Sequence, residues 1–240
     1  SLEATQKEKK TSLTFAPEAG TQRLRDVINK GVTEEDLMSK VSDAFHGGWS
    51  SVQLYFMMGL PTATTEDLDG IADLAKKVVD AYFAVPRGER AKGLRVVCSA
   101  SVFVPKPFTP FQWEPQDTQE MVREKQSHLR EKLHIKGVTF NYHESDLSYL
   151  EACFARGDRR MGQVLLRASQ KGCMLDGWTE LFKYDMWREA FAELGIDPAF
   201  YAYRRREKDE IMPWDVIDCG VTKEFLWREK EKAEKAQTTK

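Results

Sequence analysis

Hydrophobic positions along the chain alternate between two rhythms: short continuous runs, and stretches in which apolar residues recur every three or four positions. The runs read as buried strands and the spaced stretches as amphipathic helices. A first run at 12–16 (SLTFA) is followed by Thr21 to Lys30, with Leu24, Val27 and Ile28 at helical spacing and Gly31 as the expected C-cap. Thr33 and Asp36 form a capping-box pair, and Val32 with Leu37 a hydrophobic staple. They precede an apolar face of Leu37, Met38, Val41 and Phe45. A second run, SVQLYFMM at 51–58, leads to another capping-box pair, Thr64 and Asp67, and a long 3.6-period face from Leu68 to Tyr82. A third run, LRVVCSASVFV at 94–104, is ended by Pro105, Pro107 and Pro110, and Asp117 with Glu120 opens a helix to about Leu133.

Strands separated by helices pair in parallel, because each crossover helix returns the chain to the same edge. Apolar runs without strict alternation point to a sheet covered on both faces. Three strand–helix units are too few for a complete eight-unit barrel, which leaves an open doubly wound sheet or part of a barrel. Beyond Lys136 the pattern changes. Val138 to Tyr142 reads as one more strand, and helices are predicted over 146–155, 159–170 and 178–194. The organisation expected is a flexible lead-in (1–11), an α/β region (12–134), a mainly helical extension (135–224) and a charged tail (225–240), frayed or unstructured. The first residue is Ser and not Met, which suits the middle of a longer protein.

Composition narrows the function classes. Of 240 residues, 41% are hydrophobic and 31% charged, which is too apolar for disorder. A net charge of −2 supplies no field toward nucleic acid or a membrane, so neither is expected as a partner. No apolar run reaches bilayer-spanning length and no signal-peptide core is visible, so a cytoplasmic protein is expected. Cys98, Cys153, Cys173 and Cys219 form no CxxC or other short metal spacing, so no metal ligands are assigned and buried thiols are expected. The run Arg204-Arg205-Arg206 is followed by Glu207, Asp209 and Glu210 and reads as a self-neutralised, solvated surface. GxxxxGK[ST], GxSxG and GxGxxG are all absent.

Chemistry in parallel α/β folds gathers at the carboxyl ends of the strands. At the first end, Glu18 suits hydrogen bonding to a ligand hydroxyl or amine, or it complements a helix dipole. At the second, Met57 and Gly59 suit a flat ring and close backbone approach, or they are a core methionine and a tight turn. At the third, a rigid loop carries Lys106 and Thr109, either shaping a substrate pocket or covering the sheet end.

The segments LTFAPEAGTQRLRDVINKGVTEEDL, GWSSVQLYFMMGLPT, SVFVPKPFTPFQW and PWDVIDCGVTKEFLWREKEKA resemble the later strands and the end of radical S-adenosylmethionine enzymes. The subgroup is an uncharacterised one, often found with a cobalamin-binding-like segment upstream. The resemblance implies a partial (β/α) TIM-like barrel, of which this chain holds the last three βα units and a mainly helical extension. It implies S-adenosylmethionine and a [4Fe–4S] cluster in the intact protein. The cluster-binding CxxxCxxC is absent here and would lie in a missing N-terminal half of the barrel. By the same resemblance Glu18 contacts the ribose or amino acid part of S-adenosylmethionine, and Met57 and Gly59 pack near its adenine. Ala63 stands where family members commonly carry Glu. The intact protein is then expected to be a radical enzyme and this chain inactive alone. Its catalytic residues, its substrate and the use of cobalamin are left open. The other reading is a non-catalytic α/β module binding a protein or RNA partner, with residues such as Trp113 and Trp178 at an interface.

Overall fold

The computed structural model describes residues 12–238; the expected lead-in at 1–11 and residues 239–240 lie outside the described residues. In chain order the elements are β1 (Leu13–Glu18), α1 (Gln22–Val27), α2 (Glu34–His46), β2 (Ser51–Met58), α3 (Thr65–Ala84), β3 (Arg95–Val102), α4 (Gln119–Lys132), β4 (Val138–Tyr142), α5 (Ser145–Ala155), α6 (Met161–Gln170), α7 (Tyr184–Glu193), α8 (Pro198–Ala202) and α9 (Lys223–Glu234). The strands form one parallel sheet in the order β1-β2-β3-β4. The chain is therefore α/β with a four-strand parallel sheet. Its internal contacts divide it into two compact units. The first holds the chain up to Val102, Met121–His143 and the chain from Glu231; the second holds Phe103–Glu120 and Glu144–Lys230.

In the first unit, Val52, Leu54, Phe56 and Met58 alternate along β2 into one core with Val96, Cys98 and Ala100 of β3. Helices α2, α3 and α4 cover this face through Val41, Phe45, Leu74, Val78 and Leu129. Each such side chain contributes about 1.5–3 kcal/mol by leaving water. The opposite face is not covered in the same way, contrary to the two-sided burial that the apolar runs predict. Thr14, Ala16, Thr139 and Asn141 are exposed and Tyr55 retains 42% of its accessible surface, while Val97 of β3 on the same face is buried. Burial in β2 follows the strict alternation of a half-covered strand, although Met57 interrupts it in composition.

Both capping boxes form as the sequence predicts, at Thr33/Asp36 and Thr64/Asp67. Asp67 does more than cap α3. Its buried carboxylate accepts from the Thr64 N–H at 2.8 Å, from the hydroxyls of Thr64 and Thr21, and from the guanidinium of Arg23. Arg23 also donates to the Thr62 carbonyl at 2.9 Å. The turn after β1 is thereby tied to the start of α3. Backbone contact completes the joint: a Cβ on Gly70 would lie 2.8 Å from the Gly20 carbonyl oxygen. Helix α1 ends earlier than the spacing predicts, with Ile28 and not Gly31 as its C-cap. Asn29 takes the left-handed conformation (φ 52°) that asparagine tolerates.

In the second unit, α5–α8 pack around Leu150, Cys153, Val164, Trp187, Phe191 and Tyr201. The helix predicted from Trp178 begins six positions later at Tyr184; residues 179–181 form a turn and Trp178 is exposed. The predicted solvated arginine run is a paired cluster. Arg204 holds Glu210 through two bonds of 2.7 and 2.6 Å, and Arg205 pairs with Glu114. Arg206 is buried, donating to the Arg156 carbonyl at 2.7 Å and lying over Trp214. Where a frayed tail is expected, α9 is helical, its Trp227 set edge-on against buried Trp113.

Two measurements check the joint between the turn and α3. Gly70→Ala adds a Cβ against backbone and should cost about 2 kcal/mol or more by overpacking, outweighing the ~1 kcal/mol of helix propensity gained. Gly31→Ala, with nothing within 4 Å of the added carbon, should stay near wild type in urea unfolding. Equal effects would remove the close-approach argument. Asp67→Ala should lose about 2–3 kcal/mol at pH 7. Burial alone would raise the Asp67 carboxyl, but the bonds from Arg23, Thr21 and Thr64 outweigh it and hold the group below the usual range. Its contribution is thus complete above the ordinary aspartate value of about 3.9 and is lost as pH falls toward the lowered folded value. The gap between the two proteins should narrow in acid; a gap independent of pH contradicts this.

Candidate functional site

The carboxyl ends of β1 and β2 bring together three of the residues singled out by sequence. β1 is an edge strand, which accommodates Pro17 because its missing N–H interrupts no inner ladder. The register slips between Phe15 and Glu18, and Glu18 then pairs opposite Phe56, beside Met57. Glu18 takes φ 65°, a conformation uncommon for a residue with a side chain. Its carboxylate, half-buried, meets the Lys30 ammonium at 3.1 Å. Met57 lies on the face away from the helix-covered core, in register with Ser101 of β3. Gly59 turns the chain at φ 80°, which a glycine adopts without steric cost.

A cavity of about 20 Å³, room for roughly one water, lies beneath these ends, lined by Gly20, Leu24, Met57, Gly59, Thr64 and Asp67. The Asp67 joint therefore supports the two strand ends from below. In chemical terms, the carboxylate of Glu18 suits a ligand hydroxyl or amine. The Met57 thioether suits a flat ring, and Gly59 allows the backbone to approach closely.

Lys106 and Thr109 belong to the second unit. The Lys106 ammonium is ion-paired with Glu151, and the Thr109 hydroxyl donates to the Lys106 carbonyl at 2.7 Å. Both side chains thus have partners inside their own unit, and Thr109 braces the loop that carries Lys106.

Sequence reasoning overlooked the polar side chains on the uncovered face of the sheet. Gln53 and Tyr55 of β2, Ser99 and Ser101 of β3, and Thr139 and Asn141 of β4 stand on it in register. The signal is present in the alternation of VTFNY and of the first half of SVQLYFMM, whose overall apolar content reads as a continuous run.

The thiols are dispersed. Cys98, Cys153 and Cys173 are buried and Cys219 is exposed. Among the described residues no group of three His, Cys, Asp or Glu side chains is placed to hold a metal ion. Burial pushes the Cys98 and Cys153 thiols up to about 12, so they are protonated near neutral pH. Among the described residues no helix is long and apolar enough to cross a membrane.

No family model matches the chain, and no solved structure matches it. It is similar to an uncharacterised protein of Methanocaldococcus jannaschii, 32% identical over 157 residues. The match covers 65% of this chain and 32% of that protein, so the chain spans about a third of its relative's length.

Thiol alkylation provides a direct check. In native protein at pH 8, iodoacetamide should modify Cys219 rapidly and leave Cys98, Cys153 and Cys173 until denaturant is added. Rapid modification of all four by intact-mass measurement would contradict this placement.

Proposed function

We propose that this chain is the rear part of a radical S-adenosylmethionine enzyme, the last βα units of a partial barrel with a helical extension. The observation that carries the reading is the one-sided cover of a parallel sheet with sequential strand order. A doubly wound sheet reverses its order and places helices on both faces. A barrel arc keeps sequential order, places helices outside and turns its other face toward the lumen. The sheet here has sequential order, and its face away from α2, α3 and α4 carries Gln53, Tyr55, Ser99 and Asn141.

Glu18, Met57 and Gly59 suit an adenosyl ligand at the mouth of such an arc. Glu18, oriented by Lys30, accepts from a ribose hydroxyl or the amino group; Met57 packs on the base; Gly59 admits it to the backbone. When bound, S-adenosylmethionine supplies the radical chemistry, and the protein supplies binding, orientation and exclusion of water. The face away from α2, α3 and α4 provides the substrate wall. Lys106 and Thr109 keep the structural partners described above and are given no substrate contact. The dispersed cysteines do not fit an iron–sulfur cluster, so no step is assigned to one on this chain. Cluster ligands would come from sequence upstream of Ser1.

The test compares this chain with the protein extended upstream, both reconstituted anaerobically with iron and sulfide. The extended protein should hold a [4Fe–4S] cluster and bind S-adenosylmethionine, and the 240-residue chain should hold no stable cluster. In the extended protein Glu18→Ala should weaken S-adenosylmethionine about 10-fold or more, the worth of a hydrogen bond to a charged group, at unchanged iron content. An extended protein without a cluster overturns the enzyme reading and favours a binding module. Unchanged affinity in E18A overturns the role of Glu18.

A further inference from the structure

We propose that the outer edge of β4 pairs antiparallel with β4 of a second copy of this chain, about a two-fold axis at Phe140. The two edge strands of the sheet differ. β1 carries Pro17 and a slipped register before Glu18, and prolines and irregularities are devices that keep an edge from pairing. β4 (VTFNY) has no proline, no charge and no register slip against β3. Its ladder to β3 runs from the Val96 N–H, which donates to the Gly137 carbonyl, to the His143 N–H, which donates to the Ala100 carbonyl. Along a strand in a parallel sheet, successive residues present their N–H and C=O to opposite edges. Gly137, Thr139, Asn141 and His143 therefore point inward, and Val138, Phe140 and Tyr142 point outward. The Val138 N–H turns back to the Ile135 carbonyl at 3.0 Å. The Phe140 and Tyr142 N–H groups, and the carbonyls of all three, face the side of β4 that has no neighbouring strand.

The strand is complementary to itself, and this identifies the occupant. A closed two-fold contact sets the same edge against itself, so the strands run antiparallel. With the axis at Phe140 the outward groups match. The two Phe140 residues exchange N–H···O=C bonds, and each Tyr142 N–H reaches the Val138 carbonyl of the other copy. The side chains match as well. Phe140 faces Phe140 and Val138 faces Tyr142 on the core side, while Thr139 faces Asn141 on the other. Aromatic and β-branched pairs of this kind stabilise antiparallel strands. Charge supplies the third match. Lys136 stands two residues before the strand and Glu144 two after it. Both are exposed, and neither has an ion partner among the described residues. The axis brings Lys136 of each copy to Glu144 of the other, whereas a parallel partner sets like charges together. Beside the strand lies an open cleft of about 630 Å³, lined by Leu133, Ile135, Val138 and Phe140, apolar surface that a second sheet edge covers. Nothing in this argument depends on the radical-enzyme reading of the first unit.

The full chain is followed by sedimentation equilibrium up to about 1 mM, the weak end of specific association. Amide hydrogen exchange is read residue by residue in proton–nitrogen correlation spectra. A reversible dimer is expected, in which the Phe140 and Tyr142 amides slow as concentration rises. The Val138 amide, already bonded within one copy, should change little. Lys136→Glu and Glu144→Lys each turn both ion pairs into like-charge contacts and should weaken the dimer about fivefold or more at low salt. The double variant K136E/E144K restores both pairs with the signs exchanged and should return to within about twofold of wild type. Both positions are exposed, so these variants keep the fold. A monomer throughout the concentration range overturns the proposal and leaves the edge to a different partner. So does a dimer in which the Phe140 and Tyr142 amides exchange as fast as in dilute solution. Single variants that dimerise like wild type, or that the double variant does not rescue, overturn it too.

Discussion

The first unit depends on one buried carboxylate. Asp67 stands at the start of α3 and accepts hydrogen bonds from α3's own cap, from Thr21 and from Arg23. A charge removed from water is tolerated only when donors replace the lost hydration, and here the donors come from two separate stretches of chain. The carboxylate is stable in this position only if the turn after β1 lies on α3. Gly20 and Gly70 remove the side chains that would otherwise keep the two backbones apart. Because that turn follows Glu18, and α3 follows the Gly59 turn, the joint sets the distance between the two strand ends.

The sheet above this joint packs α2, α3 and α4 on one face. Its core face is a single apolar cluster with α2, α3 and α4, while the other face mixes Thr, Gln, Ser and Asn with an exposed Tyr55. Parallel sheets normally bury both faces, because crossover helices alternate sides or because a barrel closes the inner face with its own side chains. Sequential strand order with α2, α3 and α4 packed on one face is consistent with a partial β/α fold.

The second unit is organised differently, around cations and rings. Arg156 is fully buried without a carboxylate partner and donates instead to the carbonyls of Tyr201, Gln112 and Arg204 at 2.8, 3.1 and 3.2 Å. Burial, with the nearby guanidiniums of Arg206 and Arg204, lowers it to about 10, which leaves it charged at neutral pH. Three chain segments without regular ladder partners are thus held by one planar fork. Aromatic packing does the remainder, and it leaves the Trp187 indole N–H buried without a hydrogen-bond partner.

Local features were legible in the sequence. The extent of β2 matches its apolar run residue for residue, and both capping boxes form where Ser/Thr-x-x-acid spacing places them, because strand pairing and capping are decided within a few positions. Glu18, Met57 and Gly59 were also readable as strand-end residues, since βα order alone locates the carboxyl ends. Other features required tertiary structure. Which face of the sheet α2, α3 and α4 cover depends on the side each crossover helix takes, and no single strand encodes that choice. The second role of Asp67 depends on Thr21 and Arg23, more than forty positions away. Burial of Arg206, and the loss of the helix expected at Trp178, follow from contacts and turns whose partners are remote or irregular. Local chemistry specifies elements; long-range burial decides which of their faces meets water.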